Sequence, residues 1–122
     1  MSKNYTLKIP MVHPSLNKWV NMNQFVRAKM RDEIKEMVWA CAKSQKIPLI
    51  KEPVEIEIVY HHQYKATDKR RLDIDNLTPK FFMDGLSEVV IPDDSIDYVK
   101  KLTWSVIKDG ENRSDILIKV VS

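Results

Sequence analysis

At 122 residues, with 43% apolar and 30% charged side chains, the chain has the size and balance of one globular domain with one core, not a disordered or fibrous composition. A lone cysteine, Cys41, excludes an internal disulfide and suits a reducing compartment; no run of about 18 apolar residues could span a membrane, and the polar N-terminus has no signal-peptide core, so a cytoplasmic location is expected. The net charge of +3 permits nucleic acid as a partner without demanding it, so where the cations sit matters more than their sum.

Residues 4 to 11 alternate, with Tyr5, Leu7, Ile9 and Met11 on one face and Thr6, Lys8 and Pro10 on the other. That spacing predicts a half-buried strand, and Pro10 marks an edge or an end. His13 to Lys18 reads as a polar, proline-containing connection. From Asn21 to Gln45 the period changes to three and four, through Met22, Phe25, Val26, Met30, Ile34, Met37, Val38 and Cys41, with charged residues between. A long amphipathic helix is predicted, its methionines as core filler and Cys41 as a small buried hydrophobe. Prolines 48 and 53 end it and link onward.

Val54, Ile56, Ile58 and Tyr60 alternate with Glu55 and Glu57, a second strand with one wet face. His61-His62 follows, then a basic loop from Gln63 to Arg71 that no packing pattern explains. A second helix is expected from a cap at Asp75 or Asn76 to about Glu88, with Pro79 in its first turn and Phe82, Met83, Leu86 and Val89 as its apolar side. Ile96, Tyr98, Leu102, Trp104 and Val106 alternate again. Lys108 to Glu111 makes a turn, and Asp115 to Val121 the last strand. The order β-α-β-α-β-β predicts one α+β domain over residues 1–122, with a mixed or antiparallel four-stranded sheet and two helices mostly on one face.

The chemistry concentrates at Lys69-Arg70-Arg71-Leu72-Asp73-Ile74-Asp75-Asn76-Leu77. In an extended segment residues two apart point the same way, so Asp73 and Asp75 would offer their oxygens side by side. Hard, oxygen-seeking Mg²⁺ relieves that repulsion and leaves positions for water and phosphate. A second acidic pair, Asp93-Asp94, follows the helix. A twelve-residue helix carries the chain about 18 Å away, and six extended residues return about 20 Å, so Asp94 can rejoin Asp73 and Asp75. Three carboxylates around magnesium suit phosphodiester hydrolysis, with Lys80 placed to stabilise developing charge. Lys65, Lys69, Arg70 and Arg71 would hold the phosphate track.

Plainer readings exist for each part. Asp75 caps a helix, Asp93 starts a turn, and His61-His62 is structural or faces solvent. An EF-hand fails, because no glycine follows at the sixth position and no glutamate at the twelfth.

Arg70-Arg71-Leu72-Asp73-Ile74-Asp75-Asn76-Leu77, then Met83-Asp84-Gly85-Leu86, then Ile91-Pro92-Asp93-Asp94-Ser95 together resemble the RusA family of Holliday-junction resolvases, as does Pro14-Ser15-Leu16-Asn17 after the first strand. The resemblance implies a homodimeric, Mg²⁺-dependent endonuclease, with Mn²⁺ as a substitute metal, often prophage-encoded and serving DNA recombination and repair. It implies symmetric nicks in four-way junctions, metal-binding acids at Asp73, Asp75 and Asp94, and DNA contacts that extend to Asn17 and Lys18. One departure stands out. The position of the family's lysine holds Pro79, and Lys80 follows one residue later. A same-fold DNA-binding protein without catalysis, or an interaction domain with a structural cation, are the competing readings.

Overall fold

The computed structural model describes residues 3–63 and 77–121. Along them run β1 (Asn4–Ile9), α1 (Leu16–Val20), α2 (Gln24–Ser44), β2 (Val54–Gln63), α3 (Lys80–Leu86), β3 (Val99–Asp109) and β4 (Arg113–Val120). The α+β class and the mixed four-stranded sheet are as predicted. The helices among the described residues number three, not two. The extra one, α1, falls in the stretch read as a connection: Ser15 caps it by accepting from the Lys18 amide, and Arg27 closes its other end by donating to the carbonyls of Trp19 and Val20. Five residues carry too little periodicity to announce a helix.

The strand order is β1-β4-β2-β3. β4 lies between β1 and β2 and antiparallel to both, while β2 and β3 run parallel. The turn at Lys108 to Glu111 is present, but it does not join neighbours as a hairpin would. Both sides of β4 are taken, so residues 110–112 carry the chain past the end of β2. β1, β2 and β3 therefore finish at one rim of the sheet, where β4 begins.

One face of the sheet meets the helices. Leu7, Ile9, Ile56, Ile58, Tyr60, Ile116 and Ile118 pack there with Ile34, Val38 and Ala42 of α2 and Phe81, Phe82 and Leu86 of α3 in one core. Each such side chain contributes about 1.5–3 kcal/mol on burial. The opposite face carries Glu55, Glu57, Val59 and His61 along β2, the out-of-phase residues of the same alternation.

Several predicted details shift. The first turn of α2 overhangs the core, so Phe25 and Val26 are exposed, at 78% and 42%. Cys41 is half-buried, and burial pushes its thiol pKa up, which keeps it inert. At the end of α2, the Gln45 amide pairs with both main-chain groups of Lys8, at 2.8 and 2.6 Å, and so blocks the edge of β1. β3 starts at Val99, leaving Ile96 outside the strand and exposed. α3 is seven residues long, and its N-cap position is Pro79, without a side-chain cap; Asp75 and Asn76 therefore do not cap it. It stops at Leu86, and Glu88 turns the chain away with φ 70°. Gly85 is where α3 meets α2, since a Cβ there would stand 3.0 Å from Val38 Cγ2. The predicted twelve-residue helix therefore does not form, and neither does its 18 Å excursion.

Candidate functional site

The rim where β1, β2 and β3 end collects the polar groups of the fold. Two buried histidines stand there on opposite faces of the sheet. His13, just past β1, lies on the helix-covered side in a box of Tyr60, Phe81 and Phe82, with ring centroids 4.8–5.0 Å away. Its Nδ1 is 3.0 Å from the Pro14 carbonyl and its Nε2 is 2.8 Å from the Tyr60 hydroxyl, which in turn donates to the Thr78 carbonyl at 3.2 Å. Burial lowers the His13 pKa against the pull of these carbonyls, and the same burial raises that of Tyr60. This chain of hydrogen bonds ties the β1 exit, β2 and the main chain at Thr78, three residues after Asp75.

His61 faces the other way. Its Nδ1 is 2.8 Å from Asp109 Oδ2 and its Nε2 3.1 Å from Asp115 Oδ2, so it clasps β2 to β3 and β4. Arg113 adds a contact to Asp109 at 3.8 Å. The Gly110 amide first, and then His61, hold the Asp109 carboxyl below its ordinary range. Alternation put His61 at a strand end, but its two partners come from strands 48 and 54 residues away, which no local pattern reveals.

The predicted site residues divide. Asp73, Asp75, Lys65, Lys69, Arg70 and Arg71 lie outside the described residues. Asn17 and Lys18 are exposed on α1, which Trp19 pins to the core edge-on against Phe81 at 4.7 Å. Trp19 was not singled out from sequence; it serves as the anchor that presents its two polar neighbours. Lys80 opens α3, 72% exposed, with Nζ 3.7 Å from Asp84 Oδ2. Asp94 is exposed in the approach to β3. Next to it Asp93 does start a turn, accepting from the Ser95 amide at 2.7 Å, and bonds from Ser95 lower its carboxyl pKa.

Asp94 is not beside Thr78. Its neighbour Ser95 bonds Tyr98 and Val99, and Tyr98 bonds Val54 at the start of β2, whereas Thr78 bonds Tyr60. Six residues of strand separate these anchors, about 20 Å at 3.3 Å per residue. An all-carboxylate donor set fits a hard cation such as magnesium. Among the described residues, though, no three His, Cys, Asp or Glu stand close enough to hold a metal, and no helix is long and apolar enough to cross a membrane.

A cleft of about 430 Å³ opens at this rim, between the β1 exit and Leu77. Val12, Met22, Met30 and Leu77 make its apolar walls, with Lys18, His62 and Asn112 also lining it.

Comparison with curated proteins finds no match. The profile of the family described as endodeoxyribonuclease RusA matches residues 8–120, which span the sheet, all three helices, the Asp73-x-Asp75 segment and the Asp93-Asp94 pair. The chain belongs to the RusA endodeoxyribonuclease family, nucleases that act on branched DNA.

Proposed function

We propose that this protein is a magnesium-dependent endonuclease that resolves four-way DNA junctions by paired, symmetric phosphodiester cuts. The observation that carries the reading is the family match over nearly the whole chain, together with the acids Asp73, Asp75 and Asp94 in the order that match requires. On this reading those three carboxylates hold the metal, with Mn²⁺ able to replace Mg²⁺. When bound, the ion supplies Lewis acidity and a water made acidic enough to attack phosphorus.

The remaining work falls to the chain's own groups. Lys65, Lys69, Arg70 and Arg71, directly upstream of the acids, bind the phosphate track, and Lys18 and Asn17 extend it across α1. Lys80 neutralises charge developing on the phosphate once it leaves Asp84, a weak, exposed partner. A homodimer fits the substrate, because a two-fold junction needs two equivalent cuts. A cytoplasmic enzyme of recombination and repair, prophage-encoded, is the setting implied.

The test is an end-labelled four-way junction incubated with and without Mg²⁺, beside Asp75→Asn. Paired nicks that need metal and vanish in the variant support the reading. Mixing Asp75→Asn with Asp94→Asn subunits then assigns the acids: nicking returns if the two acids of each site come from different subunits, and stays absent if one subunit supplies both. One observation favours a second reading, a junction-binding protein without catalysis. Pro79 occupies the family's lysine position, and Lys80 points its ammonium at Asp84. Tight, salt-sensitive junction binding with no nicks under any metal would select it.

A further inference from the structure

Two clefts of similar size open on this protein, and their linings differ in a way that matters for a polyanion. The one of about 450 Å³ on the open face of the sheet is lined by Glu55 and Glu57 as well as by Lys101 and Lys119. The one of about 430 Å³ at the rim has no carboxylate among its described lining residues. Its walls are Val12, Met22, Met30 and Leu77, and its charge is that of Lys18. A mostly apolar cavity with a few polar groups converging on it, in the usual range of about 300–1,000 Å³, is the common form of a small-molecule or nucleotide site.

The polar groups at this cleft are unspent. Asn112 uses its side-chain oxygen to accept the Gln63 amide at 2.7 Å, which leaves its NH₂ free to donate. Among the described residues neither the half-buried His62 ring nor the Lys18 ammonium has a hydrogen-bond or ion-pair partner. An amide donor and an imidazole match the edge of a base, and an ammonium matches a phosphate. Two methionines, unbranched and polarisable, make walls that adapt to either a purine or a pyrimidine face. Leu77, on one wall, follows Asp75 by two residues.

We propose that this cleft takes one nucleotide of the bound junction, its base unstacked between Met22, Met30 and Leu77 and its phosphate at Lys18. The proposal rests on the nuclease reading above and adds to it a site that senses which base stands near the cut, with His62 and the Asn112 amide reading the base edge. Bases at a branch point have lost part of their stacking already, so drawing one out costs less there than in a duplex. Contact with an apolar or aromatic face recovers part of that loss for any base, and the polar pair supplies the preference.

The test is a binding cycle without metal, so that no strand is cut. Junctions carry an abasic site at each nucleotide within two of the branch in turn, and each is titrated with wild-type protein and with Met22→Trp, which fills the cleft. At one position, loss of the base should weaken wild-type binding about tenfold. Met22→Trp should bind the intact junction about tenfold more weakly and lose nothing further from the abasic site. A 2-aminopurine at that position should brighten on binding wild type and stay dark with the variant. If Met22→Trp fails to fold, His62→Ala run through the same cycle must show the same non-additivity. The proposal is overturned if no abasic position weakens binding, or if the losses from variant and abasic site multiply to about a hundredfold. Wild-type protein that ignores junctions altogether would remove the nuclease reading and this site with it. Wild-type protein that nicks junctions but shows no abasic effect would remove this site alone.

Discussion

His13 and His61 are both buried, both near the rim, and on opposite faces of one sheet, yet their surroundings assign them opposite work. Around His13 there are three aromatic rings, two carbonyls and no carboxylate, so the ring is driven towards its neutral form. Around His61 there are two carboxylates, and an imidazole carrying both protons can donate to each. The first region is held by packing and joins chain segments through neutral hydrogen bonds. The second is an ionic clasp across three strands. Burial alone does not set a histidine's role; the charge of what surrounds it does.

The comparison breaks most heavily at Phe82. This fully buried ring stacks on Tyr60 at 5.9 Å and meets His13 edge-on at 5.0 Å. Phe82→Ala should cost about 3–5 kcal/mol in urea unfolding, the range for a large core cavity. A loss below about 1 kcal/mol would mean the box is not what holds the His13 side. On the other face, His61→Ala removes the partner of two carboxylates, and Asp115 Oδ1 is already buried without a partner among the described residues. The expected cost is about 1.5–3 kcal/mol, scaled on hydrogen bonds to charged groups. Unlike the Phe82 effect it should shrink in high salt, because part of it is Coulombic. An effect independent of salt would deny the ionic character of the clasp.

Tyr60→Phe is gentler and more selective. It keeps the ring stack and deletes only the hydroxyl between His13 and Thr78, for about 1–2 kcal/mol. Hydrogen exchange at the Leu77 and Thr78 amides should quicken more than at Ile116 in the sheet core. Equal acceleration at both would show that the hydroxyl supports the whole fold and does not tether that segment.

Much of this was legible in the chain, for identifiable reasons. Strand alternation from Val54 to Tyr60 and the three-four period from Met30 to Cys41 encode burial directly, and both elements stand where they predict. Phe25 and Ile96 misled because a period continues past the point where there is a core to pack against. α3 came out shorter than expected because Pro79 sets its start and Gly85 marks a contact with Val38 that no pattern within α3 contains. Of the candidate site, Asn17, Lys18, Lys80 and Asp94 are located, and the acid pair with its cations lies outside the described residues. The His61 clasp and the rim cleft join residues from four or more segments, and one-dimensional spacing holds no record of such meetings.

The finest distinction between the two faces is in their response to acid. The His13 pKa is lowered in the fold from the ordinary 6.5, chiefly by burial. Between its folded value and 6.5 the unfolded chain therefore binds more protons at this site, and stability must fall as pH drops through that window. Above about pH 6.5 the effect vanishes, since the ring is neutral in both states. Asp109 responds lower down. Its carboxyl is held below the ordinary 3.8 by the Gly110 amide and His61, so its contribution persists at pH 5 and is lost only as pH falls through the folded value. Urea midpoints measured from about pH 7.5 to about pH 5 should thus decline through the His13 window while Asp109 stays charged. In His13→Gln, which cannot titrate, the midpoint starts lower from lost packing but should be flatter over the same range. A decline of equal slope in both proteins would place the titrating group elsewhere and undo the contrast between the neutral and the ionic histidine.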